Sequence, residues 1–484
     1  MKYVKVFLVV TLLLGSVTFA SDLSCTPAPC TTPTARITPI STTFGAVEFS
    51  LATALNSTAV VVGSNYYKSG GKCNSTLNSK FAVWSSSDPG AVAFSGGCVS
   101  PPTNVLYTSD PITAAYASGT STTYYTGVVG NDSSSVICGD CDSLLRSSTN
   151  GGTSWSSPFG SWESLDFDSS DPQRLYIGDF DHMVVDKTVG THDGCGYVAG
   201  LNFSATFAHR EIEVAHGCPA GTGSWTNVAV DTELTGGVVD FTHLSLDASG
   251  TVYLTYTKCA TRTCATFAGG DTAMIYFSKS TDGGSTWSTP VNIFNVLMSP
   301  YAYNNMWSGG FGKLPNTNER LTPQALIAVA QTSPTVTLVA VYETWNTTGK
   351  YMEVDARRST DGGTNWTPEN RVSGNQTHDQ FLPCVADDGS GKVAVMWLDR
   401  RRDTNNKKYD AYVASDTGGT WSSALRLSAS SSDPAKNGLG GAFLGDYTGC
   451  GWWKNGSGGE YFLGVWPDTS NGTNAVGMIA GYNP

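Results

Sequence analysis

Charge is scarce in this chain. Only 14% of its 484 residues are Asp, Glu, Lys or Arg, and bases are the scarcer half: 28 against 40 acids, for a formal net charge of −12. With no basic stripe to displace counterions from a phosphate backbone, nucleic acid is excluded as a default partner. Long apolar runs are missing too. Beyond the N-terminus no stretch reaches the roughly 18 uninterrupted apolar residues that a membrane-spanning helix requires, so no membrane span is expected. His182, His209, His216 and His243 show no short metal-ligand spacing, which removes zinc as the default reading of the histidines. Glycine, at 54 residues, and aromatics, at 11%, are plentiful instead, and with so little charge they argue against a helical or disordered chain.

The first twenty residues read as a secretory signal. Lys2 and Lys5 precede the apolar segment Val6 to Leu14, and small residues from Gly15 to Ala20 offer a cleavage point after Ala20. Removing that segment leaves a charge of 26 − 40 = −14. The expected organisation is a signal peptide over 1–20, a cysteine-containing arm over 21–33, and one domain over 34–484. A secreted protein is implied, or a periplasmic one in a bacterium. The 12 cysteines fall as neighbours: Cys25/Cys30, Cys73/Cys98, Cys138/Cys141, Cys195/Cys218, Cys259/Cys264 and Cys384/Cys450. An even count in an exported chain reads as six disulfides, with connectivity open. Asn-x-Ser/Thr sequons begin at nine asparagines, among them Asn56, Asn202 and Asn375.

Internal repeats organise the rest. Ser280-Thr-Asp282-Gly-Gly284-Ser-Thr-Trp287 recurs as Ser359-Thr-Asp361-Gly-Gly363-Thr-Asn-Trp366. Looser copies are Ser148-Thr-Asn150-Gly-Gly152-Thr-Ser-Trp155 and Ser415-Asp416-Thr-Gly418-Gly419-Thr-Trp421, and a degenerate one sits at Ser87-Asp88-Pro89-Gly90. The composition is that of a tight hairpin turn: a side-chain oxygen accepts backbone N–H groups, glycines take positive φ, and Trp packs back over the turn.

This pattern resembles the Asp-box, or BNR, repeat of sialidase-like β-propellers. The resemblance implies a structural turn between the third and fourth strands of a blade, on the face away from the ligand. A second repeat supports a propeller. Apolar hairpins at 46–67, 112–129, 182–203, 242–256, 326–345, 381–397 and 446–466 read as the two inner strands of seven blades. The segment Thr34 to Thr38 looks like an outer strand with no blade of its own. It would complete the last blade and close the ring. The fold class expected is therefore all-β: a single propeller of four-stranded antiparallel blades, about seven in number, with six or eight as the alternatives left by the irregular segments 156–182 and 295–325.

Residues before each inner strand and after each second strand share the face opposite the Asp-boxes, where propellers bind ligands. Those positions carry Asp181 and His182, Asp240 and His243, Lys258 and Arg262, Glu343, Trp345 and Asn346, His378 and Asp379, Asp399, Arg400 and Arg401, Asp446 and Tyr447, and Asp468. Arginine grips a carboxylate bidentately, and a protonated acid can donate to a glycosidic oxygen. The resemblance implies a Tyr nucleophile with a Glu, an Asp acid/base, and three Arg on the substrate carboxylate. Asp399, Glu343, Tyr447 and Asp446 are the catalytic candidates; His378, Asp379, Arg400, Arg401, Trp345 and His243 are the substrate-binding ones. The Phe/Tyr-Arg-Ile-Pro element of sialidases is reduced here to Ala35-Arg36-Ile37-Thr38-Pro39, and no complete Arg triad can be drawn from channel-facing Arg400, Arg401, Arg262 and Arg320.

Two readings follow: a glycan-active exo-acting glycoside hydrolase, or a non-catalytic propeller binding glycan or protein. In either case the expected partner is a carbohydrate or glycoconjugate and the expected state a monomer. No cofactor is expected. The acidic run Asp166, Asp168, Asp171, Asp179 and Asp181 is where a structural calcium could sit, without EF-hand spacing.

Overall fold

The computed structural model describes residues 38–39, 46–66, 78–79, 81–89, 92–99, 107–131, 141–155, 163–165, 179–203, 210–220, 225–233, 238–259, 272–301, 312–331, 335–416, 418–439 and 443–484. These residues form seven blades of antiparallel strands arranged as a β-propeller. Blade 1 starts from the inner strand Ala46–Ala52, blade 2 from Tyr107–Ser118, and blade 3 from Asp179–Val185. Blades 4 to 7 start from Val238–Leu246, Ala325–Gln331, Gln380–Asp387 and Gly449–Lys454. All seven hairpins expected from the sequence are these inner pairs. Blade 2 gains a fifth strand, Asn78–Ser79, in parallel to Tyr107 and Thr108.

The ring closes through the N-terminus. Thr38–Pro39 pairs antiparallel with Val476–Tyr482, Thr38 opposite Ile479, as the outermost strand of blade 7. Inner and middle strands are apolar on both faces because each blade is packed between two others. Val393–Asp399 and Asp410–Asp416 are buried along their whole length, and Phe381, Met396, Trp397 and Trp466 join one core across blades 6 and 7. The outer strand Val291–Leu297 instead alternates toward solvent.

The repeated turns lie between third and fourth strands. In the copy at 280–287, Asp282 Oδ1 accepts the Thr286 N–H at 2.9 Å, Ser280 Oγ accepts the Gly284 N–H at 2.9 Å, and the Trp287 indole donates to Gly284 O at 3.1 Å. Hydrogen bonds from Thr286 hold the Asp282 carboxyl down at about 2. The copy at 359–366 repeats each bond. Gly363 shows why glycine is required. Its φ is +93°, and a Cβ there would lie 2.3 Å from Phe277 Cζ of blade 4. Gly363→Ala is therefore expected to cost about 1–3 kcal/mol by overpacking and backbone strain. Gly418→Ala, at φ +71° with no atom within 4 Å, should cost less. Thermal unfolding checks the pair; equal midpoints for both variants would contradict it.

Two of the expected disulfides are described. Cys195–Cys218 joins two strand ends of blade 3, and Cys384–Cys450 joins the inner strands of blades 6 and 7. Removing the second, which closes a loop of sequence separation 66, should cost about 2–4 kcal/mol in a denaturant titration. The other four pairings each include residues outside those described, as do Arg36, Arg262, Asp166, Asp168 and Asp171. Among the described residues no helix is long and apolar enough to cross a membrane.

Candidate functional site

Antiparallel alternation places the start of every inner strand at the end of the channel opposite the Ser-x-Asp-Gly-Gly turns. The channel encloses a cavity of about 730 Å³, whose polar lining includes Ser50, Thr113, His182, His243, Gln324 and Tyr447.

Near this mouth the inner strands are irregular. Register shifts interrupt blades 1, 2, 3, 4 and 6 within three residues of the strand start. Four non-glycine residues at or beside these bulges have positive φ: Glu48 at 57°, Asp110 at 52°, Phe241 at 58° and Leu382 at 48°. Such conformations cost about 1–3 kcal/mol each and persist where surrounding packing holds them, commonly at functional sites, where a bulge re-aims a side chain.

A carboxyl-rich cluster results. Arg320 makes a bidentate pair with Asp446, its Nε donating to Oδ1 at 2.5 Å, and its Nη2 lies 3.8 Å from Glu48 Oε1. Its guanidinium also stacks over Phe443 at 4.9 Å. Glu48 accepts a further hydrogen bond from Asn65. Gln324 donates to the Asp446 carbonyl at 2.8 Å, and Thr322 donates to it at 3.1 Å. Asp240 completes the group. Burial pushes its carboxyl up to about 7. The Phe241 N–H on its Oδ1 at 2.8 Å and the charges of Arg210 and Arg320 pull the other way, while Asp110 adds to the rise. An acid of this kind holds its proton near neutrality beside carboxylates already committed to arginine.

Deeper in the channel, His182 and His243 stack with ring centroids 3.9 Å apart. His182 Nδ1 accepts the Leu244 N–H at 3.1 Å, and His243 Nδ1 accepts the Ile327 N–H at 3.2 Å. Each ring thus ties its blade to the next, as Ser50 Oγ does for Thr113 N at 2.8 Å. A ring nitrogen that accepts an N–H cannot carry a proton, so both rings are neutral with hydrogen on Nε2. Burial lowers His182 to about 4 and His243 well below its usual value. Both folded values lie below the unfolded one, so the unfolded chain binds more protons and stability falls as pH drops from about 6.5 toward 4. For His182 the loss is on the order of 3 kcal/mol. His182→Asn, whose amide oxygen can take the same N–H, should lose that much less than wild type between pH 7 and 4 in denaturant titrations. Parallel curves would refute it.

The sequence-derived candidates divide into two groups. Tyr447 and His243 line the channel, and Asp446, buried next to Tyr447, is paired with Arg320. Asp379 and Arg400 meet in an ion pair at 3.4 Å, both 0% exposed, with Arg400 also bonded to Thr317 Oγ1 and Asn406 O. Asp399 is equally buried. It accepts from the Trp397 indole, the Arg401 backbone and the Arg401 guanidinium, which also reaches Ser373 O at 2.9 Å. Glu343 is buried between blades 5 and 6 with its Oε2 accepting the N–H of the bulge residue Leu382 at 2.9 Å, and burial raises its carboxyl to about 8. Trp345 packs edge-on to Tyr301, and the His378 ring bonds its neighbour Thr377. The structure therefore joins Asp379 to Arg400 and Asp399 to Arg401, and leaves Glu343 outside the lining that contains Tyr447.

Glu48, Asp110 and Arg210 were not among the sequence candidates. Glu48 is a lone acid inside the apolar run Ala46–Ala52, and Asp110 precedes a proline in a strand. A further signal is the recurrence of Asp179-Phe-Asp-His182 as Asp240-Phe-Thr-His243 at the same blade position. Among the described residues, His192, Cys195 and Cys218 bring ligand atoms within 4.8 Å, but the two sulfurs are spent on a disulfide.

No protein-family model matches the chain, and no curated protein matches it. Solved structures do. The α-L-arabinofuranosidase Arb93A from Fusarium graminearum is 14% identical, aligned over 78% of this chain and 95% of its own, at a TM-score of 0.46. The Penicillium chrysogenum α-L-arabinanase is 12% identical over 79% and 96%, at 0.44. The Trypanosoma rangeli sialidase is 13% identical over 77% of this chain and 53% of its own, at 0.42.

Proposed function

We propose that this chain is an exported, monomeric glycoside hydrolase-like propeller that removes a terminal sugar from a glycan at the channel mouth. One observation carries the reading. A buried carboxyl raised to about 7, Asp240, stands in the same charged cluster as Arg320 with its partners Asp446 and Glu48, and directly precedes Phe241, Thr242 and His243, which line a cavity large enough for a sugar or two. In this reading Asp240 donates its proton to the glycosidic oxygen as the anomeric C–O bond breaks. A carboxylate of the cluster stabilises positive charge on the anomeric carbon, and water completes the hydrolysis and restores the acid's proton.

Tyr447, Asp446 and His243 belong to the proposed sugar contacts. Asp399, Glu343, Asp379, Arg400, Arg401, Trp345 and His378 hold the frame of blades 5 and 6 behind it. The test is sugar release from a panel of neutral, amino, uronic-acid-containing and sialylated glycans. Release of one class by the wild-type protein supports hydrolysis. Binding on a glycan array without release from any of them would make this a carbohydrate-binding propeller instead.

A further inference from the structure

We infer that the site selects against negatively charged sugars, an inference that rests on the glycan-directed reading above. Recognition of a sugar carboxylate needs a guanidinium or ammonium free to receive it. Among the described residues, the three arginines that the sequence offered for that task are already committed, and Lys187, which also lines the cavity, follows the end of its inner strand at the far end of the channel from the mouth, where its charge acts on Asp387. Arg320 is held bidentately by Asp446, with Glu48 Oε1 3.8 Å from its Nη2. Arg400 is fully buried and divided among Asp379, Asn406 and Thr317. Arg401 is taken by Asp399 and the Ser373 carbonyl, and its guanidinium carbon lies over the Tyr412 ring, 4.3 Å from the centroid.

The local balance points the same way. Glu48, Asp110, Asp240 and Asp446 stand against Arg210 and Arg320, so even with Asp240 protonated the cluster carries 2 − 3 = −1. An acidic sugar must then either face that excess or strip Arg320 from Asp446. The second route leaves a carboxylate that is 2% exposed without its counter-ion. A neutral sugar meets neither obstacle. Hydroxyls donate to carboxylates and accept from the arginine edge, and Tyr447 together with the Nε2–H groups of His182 and His243 offers further polar contacts below. Asp446 is thus a specificity-determining residue: it occupies the guanidinium that an acidic sugar would need.

The experiment uses the full chain and matched glycans that differ by one charge, such as galactan against galacturonan and glucosides against glucuronides, with sialosides as a third set. Wild type is expected to turn over or bind the neutral member about 100-fold better than its acidic counterpart. Asp446→Asn, which keeps the shape and removes the charge, should narrow that ratio at least tenfold by releasing Arg320. If Asp446→Asn does not fold, Glu48→Gln, which removes one negative charge while Arg320 stays on Asp446, should narrow the ratio by a smaller factor. Equal or better use of the acidic member by wild type overturns this inference and leaves the glycan reading standing. An unchanged ratio in whichever variant folds also overturns it. Failure to bind or cleave any glycan overturns the glycan reading itself, and this inference with it.

Discussion

Replacing Asp240 with Asn should cut glycan turnover by about 10²–10⁴-fold, the range typical of losing a positioned general acid. The substitution is close to isosteric, and Asn can still accept the Phe241 N–H through its amide oxygen, so the bulge at Asp240–His243 should survive. What disappears is the proton. Wild-type activity should accordingly fall as pH rises through about 7, where the folded carboxyl ionises, and the residual activity of Asp240→Asn should lack that limb. Substrate binding is expected to persist, because Asn keeps the hydrogen-bonding outline. A variant that turns over normally, or a wild-type profile with no alkaline limb near 7, would remove Asp240 from the acid's role.

The second large effect is structural. Arg400→Met should destabilise the protein by about 3–5 kcal/mol, because it leaves Asp379 buried without its counter-ion. Asp379 would retain only the Met352 N–H at 2.9 Å and the Asn406 amide at 2.7 Å. Burial already raises its carboxyl, and the Arg400 charge is the largest influence holding it down. Removing both charges, as in Arg400→Met with Asp379→Leu, should recover much of the loss, since an apolar pair of similar volume often replaces a buried ion pair without penalty. Denaturant titrations of the two single variants and the double one decide the matter. A single-variant cost no larger than that of the double would show that the pair is not coupled.

The fold was legible because its signals are local. Seven apolar hairpins and four glycine turns each encode themselves within twenty residues, and the lone N-terminal strand declared itself by having no blade. Cys384 and Cys450, neighbours in the order of cysteines, do pair, and they join the inner strands of adjacent blades.

The site was legible only in outline. Sequence placed Asp240, Asp446, Tyr447, His243 and Arg320 near one end of the channel, as strand-end positions must be. It could not say which charged groups meet. Asp399 and Arg401 are two residues apart in sequence and neutralise each other, and Asp379 and Arg400 do so across the hairpin mouth. Arg320 instead reaches Asp446, 126 residues away, and Glu48 on the far side of the ring's closure.

Strand alternation, turn chemistry and the spacing of apolar hairpins thus determined the architecture, because each blade is built from contacts between neighbours in sequence. The bulges that aim Glu48, Asp110 and Asp240, the stacking of His182 on His243, and the pairing that commits each arginine were decided by the closed ring. Closure brings residues from blades 1, 4 and 7 to one axis, and the burial it imposes there sets which carboxyl keeps a proton and which keeps an arginine.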